Sequence, residues 1–423
     1  MTASEAHRAI DAVWRIESAR LIAGLARMVR DVGLAEELAQ DALVAALERW
    51  PTSGVPANPG AWLMATAKHR AIDRLRRAKL VDRKHTELGH AAEPAHDALP
   101  ALEAALDGDP GDDLLRLVFT SCHPVLSPDG RVALTLRLLG GLSTPEIARA
   151  FLVPEPTIAQ RIVRAKRTLA EAQVPFEIPR GAELAERLTS VLEVIYLVFN
   201  EGYSATSGDD WTRPALCEDA LRLGRILAHL IRDEPEVHGL VALMEIQASR
   251  LRARTGPTGE PILLLAQNRA RWDHVLIRRG LVALDRVESL GGARGRFALQ
   301  AAIAACHGRA VTAEATDWPR IAALYAALAQ VMPSPVVELN RAVAVSMAFG
   351  PAAGLALVDI LAAEPALDGY HLLPSVRGDL LAKLGRFAEA QHELERAAAM
   401  TRNARERALL LDRAATCARQ GAS

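Results

Sequence analysis

The chain has 423 residues, a net charge of −1 and 50% hydrophobic residues, which is enough for about two to four domains with buried cores. Only 4% of the residues are aromatic, while Ala, Leu and Arg are abundant, a composition that favours helices over sheets. The sequence contains no apolar run of the roughly 20 residues that a membrane span needs. It also contains no signal peptide and no cysteine pattern typical of disulfides or zinc sites. We therefore expect an all-α, cytoplasmic protein that has no metal and does not bind membranes.

The charges are sorted into blocks along the first 173 residues. Segments 66–84 and 131–170 are rich in Lys and Arg, whereas segment 85–115 carries acidic residues and no Lys or Arg. Two basic blocks on either side of an acidic stretch that is rich in Pro, Gly and Ala indicate two phosphate-facing modules joined by a flexible linker. Solvated helix faces would give a similar distribution, so charge alone leaves both interpretations open.

The first predicted functional helix covers residues 33–50. It contains no helix breaker, and Pro51 is expected to end it because proline cannot continue a helix. Apolar residues fall on one side of this helix. Glu37, Asp41 and Glu48 mark another side at helical spacing, with Val44 between them.

A loop is predicted over residues 51–60, which contain three Pro and two Gly. A second helix is predicted over 62–79, where Arg70, Arg74 and Arg77 follow at i, i+4 and i+7 and so share one face. An acidic-faced helix, a loop and an arginine-rich helix are thus predicted in sequence, a pattern that an ordinary helical bundle would also show.

The second basic block predicts a helix-turn-helix. Ser143 and Glu146 have the spacing of a capping box, and Pro145 suits the first turn of the helix that follows. A turn is predicted over 152–155 and a second helix over 156–170. Its inward stripe is Ile158, Ile162, Ala165 and Leu169, and its outward face is Thr157, Gln160, Arg161, Arg164 and Arg167. Such a helix can enter the major groove of DNA, although a packing helical hairpin is the alternative.

These three segments together resemble the extracytoplasmic-function (ECF) sigma factors of bacterial RNA polymerase, members of the sigma-70 family. The motif AEELAQDAL at 35–43 resembles region 2.1–2.2 of the family, which docks on the polymerase β′ subunit. AWL at 61–63 and AKHRAIDRLRR at 67–77 are similar to region 2.3–2.4, which opens and reads the −10 element. Residues 131–167 resemble region 4, which binds the −35 element.

The resemblance implies a sigma region 2 helical bundle, a region 4 helix-turn-helix, and no catalytic activity or cofactor. The implied partners are RNA polymerase core (its β and β′ subunits) and promoter DNA. The polymerase-binding residues would be Glu37, Gln40, Asp41, Val44 and Glu48. The DNA-binding residues would be Trp62, Lys68, His69, Arg70, Arg74, Arg77, Glu155, Thr157, Gln160, Arg161, Arg164 and Arg167.

This sequence departs from the family pattern at particular positions. His69 stands where the family usually has Asn, and Pro154 and Pro156 stand where the recognition helix usually begins with Ser and Gly. Direct base readout is therefore expected to shift towards Thr157, Gln160 and Arg161.

The remaining 250 or so residues are expected to form a helical, tetratricopeptide-like extension. Segments 335–359 and 374–396 align at an offset of about 35 residues when Gly350 is set on Gly385. LGRFAEA at 384–390 resembles the turn and second helix of such a repeat, a fold suited to binding a protein partner. One subgroup of ECF sigma factors has a helical extension, and YLVFNEGY at 196–203 resembles a motif in it.

The predicted domains are region 2 (1–84), an acidic linker (85–113), region 4 (114–173) and the extension (174–423), which we expect to modulate activity. Two other functions remain compatible with part of the sequence. A helix-turn-helix regulator with a helical ligand- or partner-binding domain would explain the second basic block and the extension. A tetratricopeptide scaffold would explain the extension alone, and it predicts no salt-dependent DNA binding.

Overall fold

The computed structural model describes residues 3–86, 110–151, 153–206 and 208–421, with side chains from residue 7 to 74 and from 111 onward within these ranges. All regular structure in the described part of the chain is helical, apart from two isolated β-bridges. The all-α prediction is therefore confirmed. The chain forms two compact units, Met1–Ile195 and Tyr196–Ser423.

The first unit is built from seven helices of the described residues and the start of an eighth. They are α1 (Ala3–Val29), α2 (Val32–Ser53), α3 (Pro59–Thr86), α4 (Pro110–Ser121), α5 (Pro128–Leu138), α6 (Thr144–Phe151), α7 (Glu155–Glu171) and α8 (Ala182–Tyr203). Helix α1 packs along α2, α3 and α4, while α7 packs on α5 and α6. Helix α1 thus joins the region that carries the first basic block to the region that carries the second.

Helix α2 runs past the residue that was predicted to end it. Pro51 lies inside its last turn, and the helix ends at Gly54, whose φ of 81° suits glycine and whose N–H donates to the Trp50 carbonyl at 3.0 Å. The predicted stop at Pro51 is wrong because a proline in the last turn removes only one helical hydrogen bond. The hydroxyls of Thr52 and Ser53 both donate to the Arg49 carbonyl and close this turn.

Helix α3 is longer than predicted at both ends. The side chain of Asn58 caps it by accepting from the Ala61 N–H at 3.0 Å, and Pro59 takes the first turn, where its missing N–H costs nothing. The predicted loop 51–60 is therefore reduced to 54–58. The predicted acidic linker 85–113 lies largely outside the described residues, and its two ends belong to α3 and α4.

The second unit continues with ten more helices of the described residues. They are α9 (Pro214–Leu230), α10 (Pro235–Ala248), α11 (His274–Ser289), α12 (Arg296–Arg309), α13 (Trp318–Val331), α14 (Pro335–Phe349), α15 (Pro351–Leu361), α16 (Leu372–Lys383), α17 (Phe387–Met400) and α18 (Ala404–Gly421). Most of them pack chiefly on their neighbours in sequence, as expected for a helical-repeat domain, whereas α12 packs chiefly on α10.

The two segments of the predicted repeat each form a helical pair, α14–α15 and α16–α17. Gly350 and Gly385 stand at the turns with φ angles of 99° and 75°, a conformation that a side chain would strain. Within the second pair, a Cβ on Gly378 would lie 2.9 Å from the Leu394 side chain. The small residue is what lets α16 and α17 approach, and a shared apolar core lies between them.

One part of the extension is not helical in the way the sequence suggested. Between α10 and α11, residues 249–273 form three short 3₁₀ helices, Leu251–Ala253, Leu264–Ala266 and Arg269–Arg271. An isolated antiparallel bridge joins Thr255 to Pro261. The Gly and Pro residues of this segment prevent a continuous helix, so its order depends on side-chain contacts.

Candidate nucleic-acid interface

The acidic side of α2 is exposed, as its spacing predicted. Glu37, Asp41, Val44 and Glu48 are exposed, and Val44 is 50% exposed although it is apolar. Gln40 is half-buried and donates to the Glu36 carboxylate at 2.7 Å. Four of the five residues proposed for polymerase binding are therefore exposed on one side of α2, with an apolar side chain among the carboxylates.

The arginines of α3 lie against this acidic side. Arg70 is 3.5 Å from the Asp41 carboxylate, and Arg74 is 3.2 Å from that of Glu37. All four side chains are at least 40% exposed, so these ion pairs are each worth at most about 1 kcal/mol and are screened by salt. The side chain of Arg77 lies outside the described part of the chain. The predicted polymerase-binding and DNA-binding residues therefore meet at a weak, exchangeable seam.

The other predicted DNA-binding residues of α3 lie on its first turns. Trp62 is half-buried with its ring edge-on to Trp50, at a centroid distance of 5.3 Å. His69 is exposed, and its Nδ1 lies 2.7 Å from the Ala65 carbonyl oxygen, which requires Nδ1 to carry the proton and leaves Nε2 open. Lys68 is half-buried. The first turns of α3 thus carry an aromatic ring, a lysine and an exposed imidazole.

The second basic block forms the predicted helix-turn-helix. The N–H and hydroxyl of Ser143 donate to the Glu146 carboxylate at 2.8 and 2.7 Å, which confirms the capping box at the start of α6. Helix α7 then begins at Glu155. Burial raises the pKa of Glu146, but the hydrogen bonds from Ser143 and the charge of Arg15 outweigh it, and the pKa lies below its ordinary value.

Helix α7 has the two faces that the sequence predicted. The whole inward stripe is buried: Ile158, Ile162, Ala165 and Leu169. On the outward face Glu155, Gln160, Arg164 and Arg167 are exposed, and Thr157 and Arg161 are half-buried. Arg161 pairs with Asp129 at the start of α5 at 2.7 Å. Thr157, Gln160, Arg161 and Arg164 line a cleft of about 450 Å³ between α7 and the start of α5.

A buried ionic cluster around Glu36 was not predicted from the sequence. Its side chain is only 5% exposed, and it accepts from Arg137 Nε of α5 at 2.6 Å and pairs with Lys166 of α7. Helical periodicity puts Glu36 beside the buried stripe of α2, and that position was the one available signal. Nothing in the sequence indicated its partners, which lie more than a hundred residues away along the chain.

Glu36 is one of several links between the two basic regions of the first unit. Arg15 of α1 pairs with Glu146 at 2.8 Å, and Arg27 of α1 pairs with Asp113 of α4 at 3.0 Å. Arg27, Glu36 and Asp113 are largely buried. The two regions are therefore held against each other in this structure by charged contacts.

The first turns of α8 also belong to this unit. Arg187 donates to the Phe119 carbonyl at 3.0 Å, and Ser190 donates to that of Cys122 at 2.6 Å. The start of α8 thus packs on α4 and the turn after it. The first unit therefore extends past the predicted domain boundary at residue 173.

No group of His, Cys, Asp and Glu among the described residues is arranged to hold a metal ion. None of the described helices combines the length and apolarity that crossing a membrane requires.

A short capped helix, a tight turn and a second helix with a polar, basic outer face define a helix-turn-helix DNA-binding protein. Comparison with known protein families shows which kind of DNA-binding protein the chain resembles. Residues 16–81 match the family described as Sigma-70 region 2, and residues 116–169 match Sigma-70, region 4. Residues 187–288 match a family of unknown function (DUF6596). No solved structure matches the chain.

Relatives of two kinds are found. An uncharacterized protein of Rhizobium meliloti (strain 1021) is 44% identical over 399 residues, 91% of this chain and 90% of that protein. The ECF RNA polymerase sigma factor SigK of Mycobacterium tuberculosis (strain ATCC 25618 / H37Rv) is 30% identical over 148 residues, 34% of this chain and 74% of SigK. The probable ECF RNA polymerase sigma factor SigI of Mycobacterium tuberculosis (strain CDC 1551 / Oshkosh) is 29% identical over 168 residues, 40% of this chain and 57% of SigI.

The chain belongs to the ECF RNA polymerase sigma factors, and its role is in the initiation of transcription. Membership of this family implies RNA polymerase core and promoter DNA as partners.

Proposed function

We propose that this sigma factor binds the β′ subunit of core polymerase through the exposed side of α2 and promoter DNA through α3 and α7. The observation that carries the proposal is the seam where Arg70 and Arg74 pair with Asp41 and Glu37. Because exposed ion pairs are weak, DNA phosphates can replace the carboxylates on the arginines. Asp41 and Glu37 are then free to contact polymerase, so DNA binding by α3 and polymerase binding by α2 favour each other.

At the −10 element, the start of α3 would receive bases from the melted strand. Unstacking a base costs a few kcal/mol, which stacking on an aromatic ring offsets by about 1–3 kcal/mol. Trp62 supplies such a ring, and Lys68, Arg70, Arg74 and Arg77 supply cations for the phosphates. His69 offers its open Nε2 to the same strand.

At the −35 element, α7 would lie in the major groove. Its N-terminal residues Glu155, Thr157, Gln160 and Arg161 are proposed to reach base edges, and Arg164 and Arg167 to contact phosphates. The exposure of most of these side chains supports the assignment. Arg161 would exchange Asp129 for a base on binding.

The contact between the two regions suggests that core polymerase must separate them. The −35 and −10 elements are named for positions about 25 base pairs apart. At about 3.4 Å per base pair, this separation is on the order of 80 Å of duplex. In this structure Lys166 of α7 pairs with Glu36 of α2. Two regions in direct contact cannot occupy both elements together, so we infer that the Glu36 cluster opens when the holoenzyme forms.

The opening step is tested with Arg74→Ala combined with Arg77→Ala. Core binding should remain, while open-complex formation should fall on the order of tenfold because two phosphate contacts are lost. Permanganate footprinting of unpaired thymines on a double-stranded promoter measures melting, and Arg8→Ala, an exposed arginine at the start of α1, is the control. Unchanged melting with failed holoenzyme assembly would assign the arginines to the polymerase interface instead.

The extension is proposed to control activity as a platform that a protein partner or the active holoenzyme requires. Its helical pairs offer the kind of surface that repeat proteins use for partner binding. A chain ending at Ile195 keeps the α8 contacts of Arg187 and Ser190 and removes the second unit. Run-off transcription with core polymerase should then fall at least about fivefold; a gain would mean that the extension blocks the DNA surface, and unchanged activity would exclude both roles.

A further inference from the structure

Three arginines of the irregular segment 249–273 alternate with three aromatic rings. The distances from guanidinium carbon to ring centroid, in order along this ladder, are 5.5 Å for Arg254–Trp211, 3.8 Å for Arg254–Tyr203, 5.6 Å for Arg250–Tyr203, 5.7 Å for Arg250–Trp272 and 4.8 Å for Arg269–Trp272. At these distances the positive guanidinium group is attracted to the negative face of the ring. All six residues lie within 187–288, the segment that matches the family of unknown function.

This arginine–aromatic ladder has more hydrogen-bond donors than acceptors. Arg269 is anchored, since it donates to the carbonyls of His307 and Ala310 at 2.7 Å each and to the Thr316 hydroxyl at 2.9 Å. Arg250 donates to the Tyr203 hydroxyl at 2.5 Å. The Nε atoms of all three arginines and the indole Nε1 atoms of Trp211 and Trp272 are buried without an acceptor among the described residues.

The ladder also has positive charge in excess. Within the described part of the chain, no carboxylate lies within ion-pair distance of any of its three arginines, and the charge of Glu314 acts on Arg269 from further away. Burial lowers the pKa of Arg254 and the neighbouring charge of Arg250 adds to this, while Tyr203 opposes both. Burial, followed by the charges of Arg250 and Arg269, lowers the pKa of His307 to about 3, so this neighbour is neutral. A half-buried group of like charges is costly unless an anion joins it.

We propose that Arg250 and Arg254, together with the indole N–H groups of Trp211 and Trp272, form a binding site for the oxyanion of a small molecule, a phosphate ester or a carboxylate. The guanidinium carbons of Arg250 and Arg254 lie over aromatic rings, and a guanidinium group keeps a planar fork of N–H donors that suits a bidentate oxyanion. Arg250 and Arg254 are half-buried, so solvent reaches them. Tyr203 orients both guanidinium groups, and Arg269 holds Trp272 in place.

A ladder that only stabilises the fold makes a different prediction. If stacking is its whole purpose, removing Arg254 lowers stability by the same amount whether or not an anion is present. If the ladder is a binding site, removal of the unpaired cation leaves the anion-free protein as stable as before or more so. The stability order then reverses at saturating anion, because the parent protein alone gains binding free energy.

The test uses the full chain, with inorganic phosphate, succinate and chloride compared at matched ionic strength. We expect calorimetric binding and a rise in the unfolding midpoint with phosphate or succinate beyond that with chloride, and the tighter of the two identifies the ligand class. Arg254→Gln and Arg250→Gln should weaken oxyanion binding at least about tenfold. The matched control is Arg286→Gln, an exposed arginine of the same unit that pairs with Asp233 at 3.2 Å, and it should bind like the parent.

Arg254→Lys keeps the charge and loses the planar fork, so it should fold and still bind more weakly than the parent. Equal midpoints in all three salts would overturn the proposal. So would variants at positions 250 and 254 that bind phosphate and succinate as tightly as Arg286→Gln.

Discussion

Arginine serves different purposes in the two units of the molecule. In the first unit Arg70, Arg74 and Arg137 each lie within 3.5 Å of a carboxylate. In the second unit Arg250 and Arg254 lie against aromatic rings, and no carboxylate among the described residues pairs with them. Both sets carry the same charge, so the difference lies in the environment that the fold gives them.

Burial and pairing decide what each arginine can do. The exposed pairs of Arg70 and Arg74 are weak and can be exchanged for phosphate. The largely buried pair between Arg137 and Glu36 is costly to break by removing one partner. No carboxylate of the described residues pairs with the arginines of the ladder, so the proposed oxyanion would not have to displace one.

The largest effect is expected from Glu36→Gln. Arg137 and Lys166 lose their shared carboxylate in a largely buried place, so the first unit should lose about 3 kcal/mol of stability. Chemical denaturation of the full chain measures the loss, and hydrogen exchange of the α2 and α7 amides locates it. Glu48→Gln, on the exposed side of the same helix, should change stability by less than about 0.5 kcal/mol. If the two variants unfold alike, Glu36 does not hold the regions together.

An intermediate effect is expected from Arg161→Ala. If Arg161 reads a base edge, the loss in −35 binding is about 1–3 kcal/mol on the matched duplex and smaller on one with that base changed. Asp129→Asn removes the carboxylate 2.7 Å from Arg161 and should tighten binding by about 0.5 kcal/mol. Binding of the full chain to both duplexes is the measurement. Equal losses on the two duplexes would assign Arg161 to the phosphates.

The smallest effect is expected from Glu146→Gln, at about 0.5–1 kcal/mol near neutral pH. Glutamine retains the capping box, but the charge beside Arg15 and at the start of α6 is lost. Because the pKa of Glu146 is lowered by folding, its stabilisation is present above the ordinary value of 4.5 and disappears as the pH falls through the lower folded value. Unfolding free energies of parent and variant should therefore converge in acid. A gap that stays constant down to about pH 3 would contradict this assignment.

The local structure was predictable where short-range rules decide it. Ser143 and Glu146 predicted the start of α6, and the stripe from Ile158 to Leu169 predicted the buried face of α7. The glycines at 350 and 385 predicted two helical pairs. Pro51 misled, because the rule against proline within a helix is weak in the last turn, where Gly54 ends the helix three residues later.

Some properties of the site residues were predictable from the sequence, and others depend on the fold. The exposure of Glu37, Asp41 and Val44 follows from helical periodicity, which the sequence contains in full. The pairing of Arg74 with Glu37 does not, because it depends on the turn at 54–58 that folds α3 back on α2. The roles of these residues in binding polymerase and DNA stay predictions.

Most of the helices, the capping box of α6 and the family could be predicted from the sequence, because hydrophobic period, capping residues and motifs act over a few positions. Which charges meet depends instead on how the chain folds. Glu36 and Lys166 lie 130 positions apart in the chain, and Arg15 and Glu146 lie 131 positions apart. The ladder joins Tyr203 and Trp211 to Arg250, Arg254 and Trp272 through a segment without regular helices. Electrostatic and ring contacts depend on distance in space and on burial, and neither is encoded in spacing along the chain.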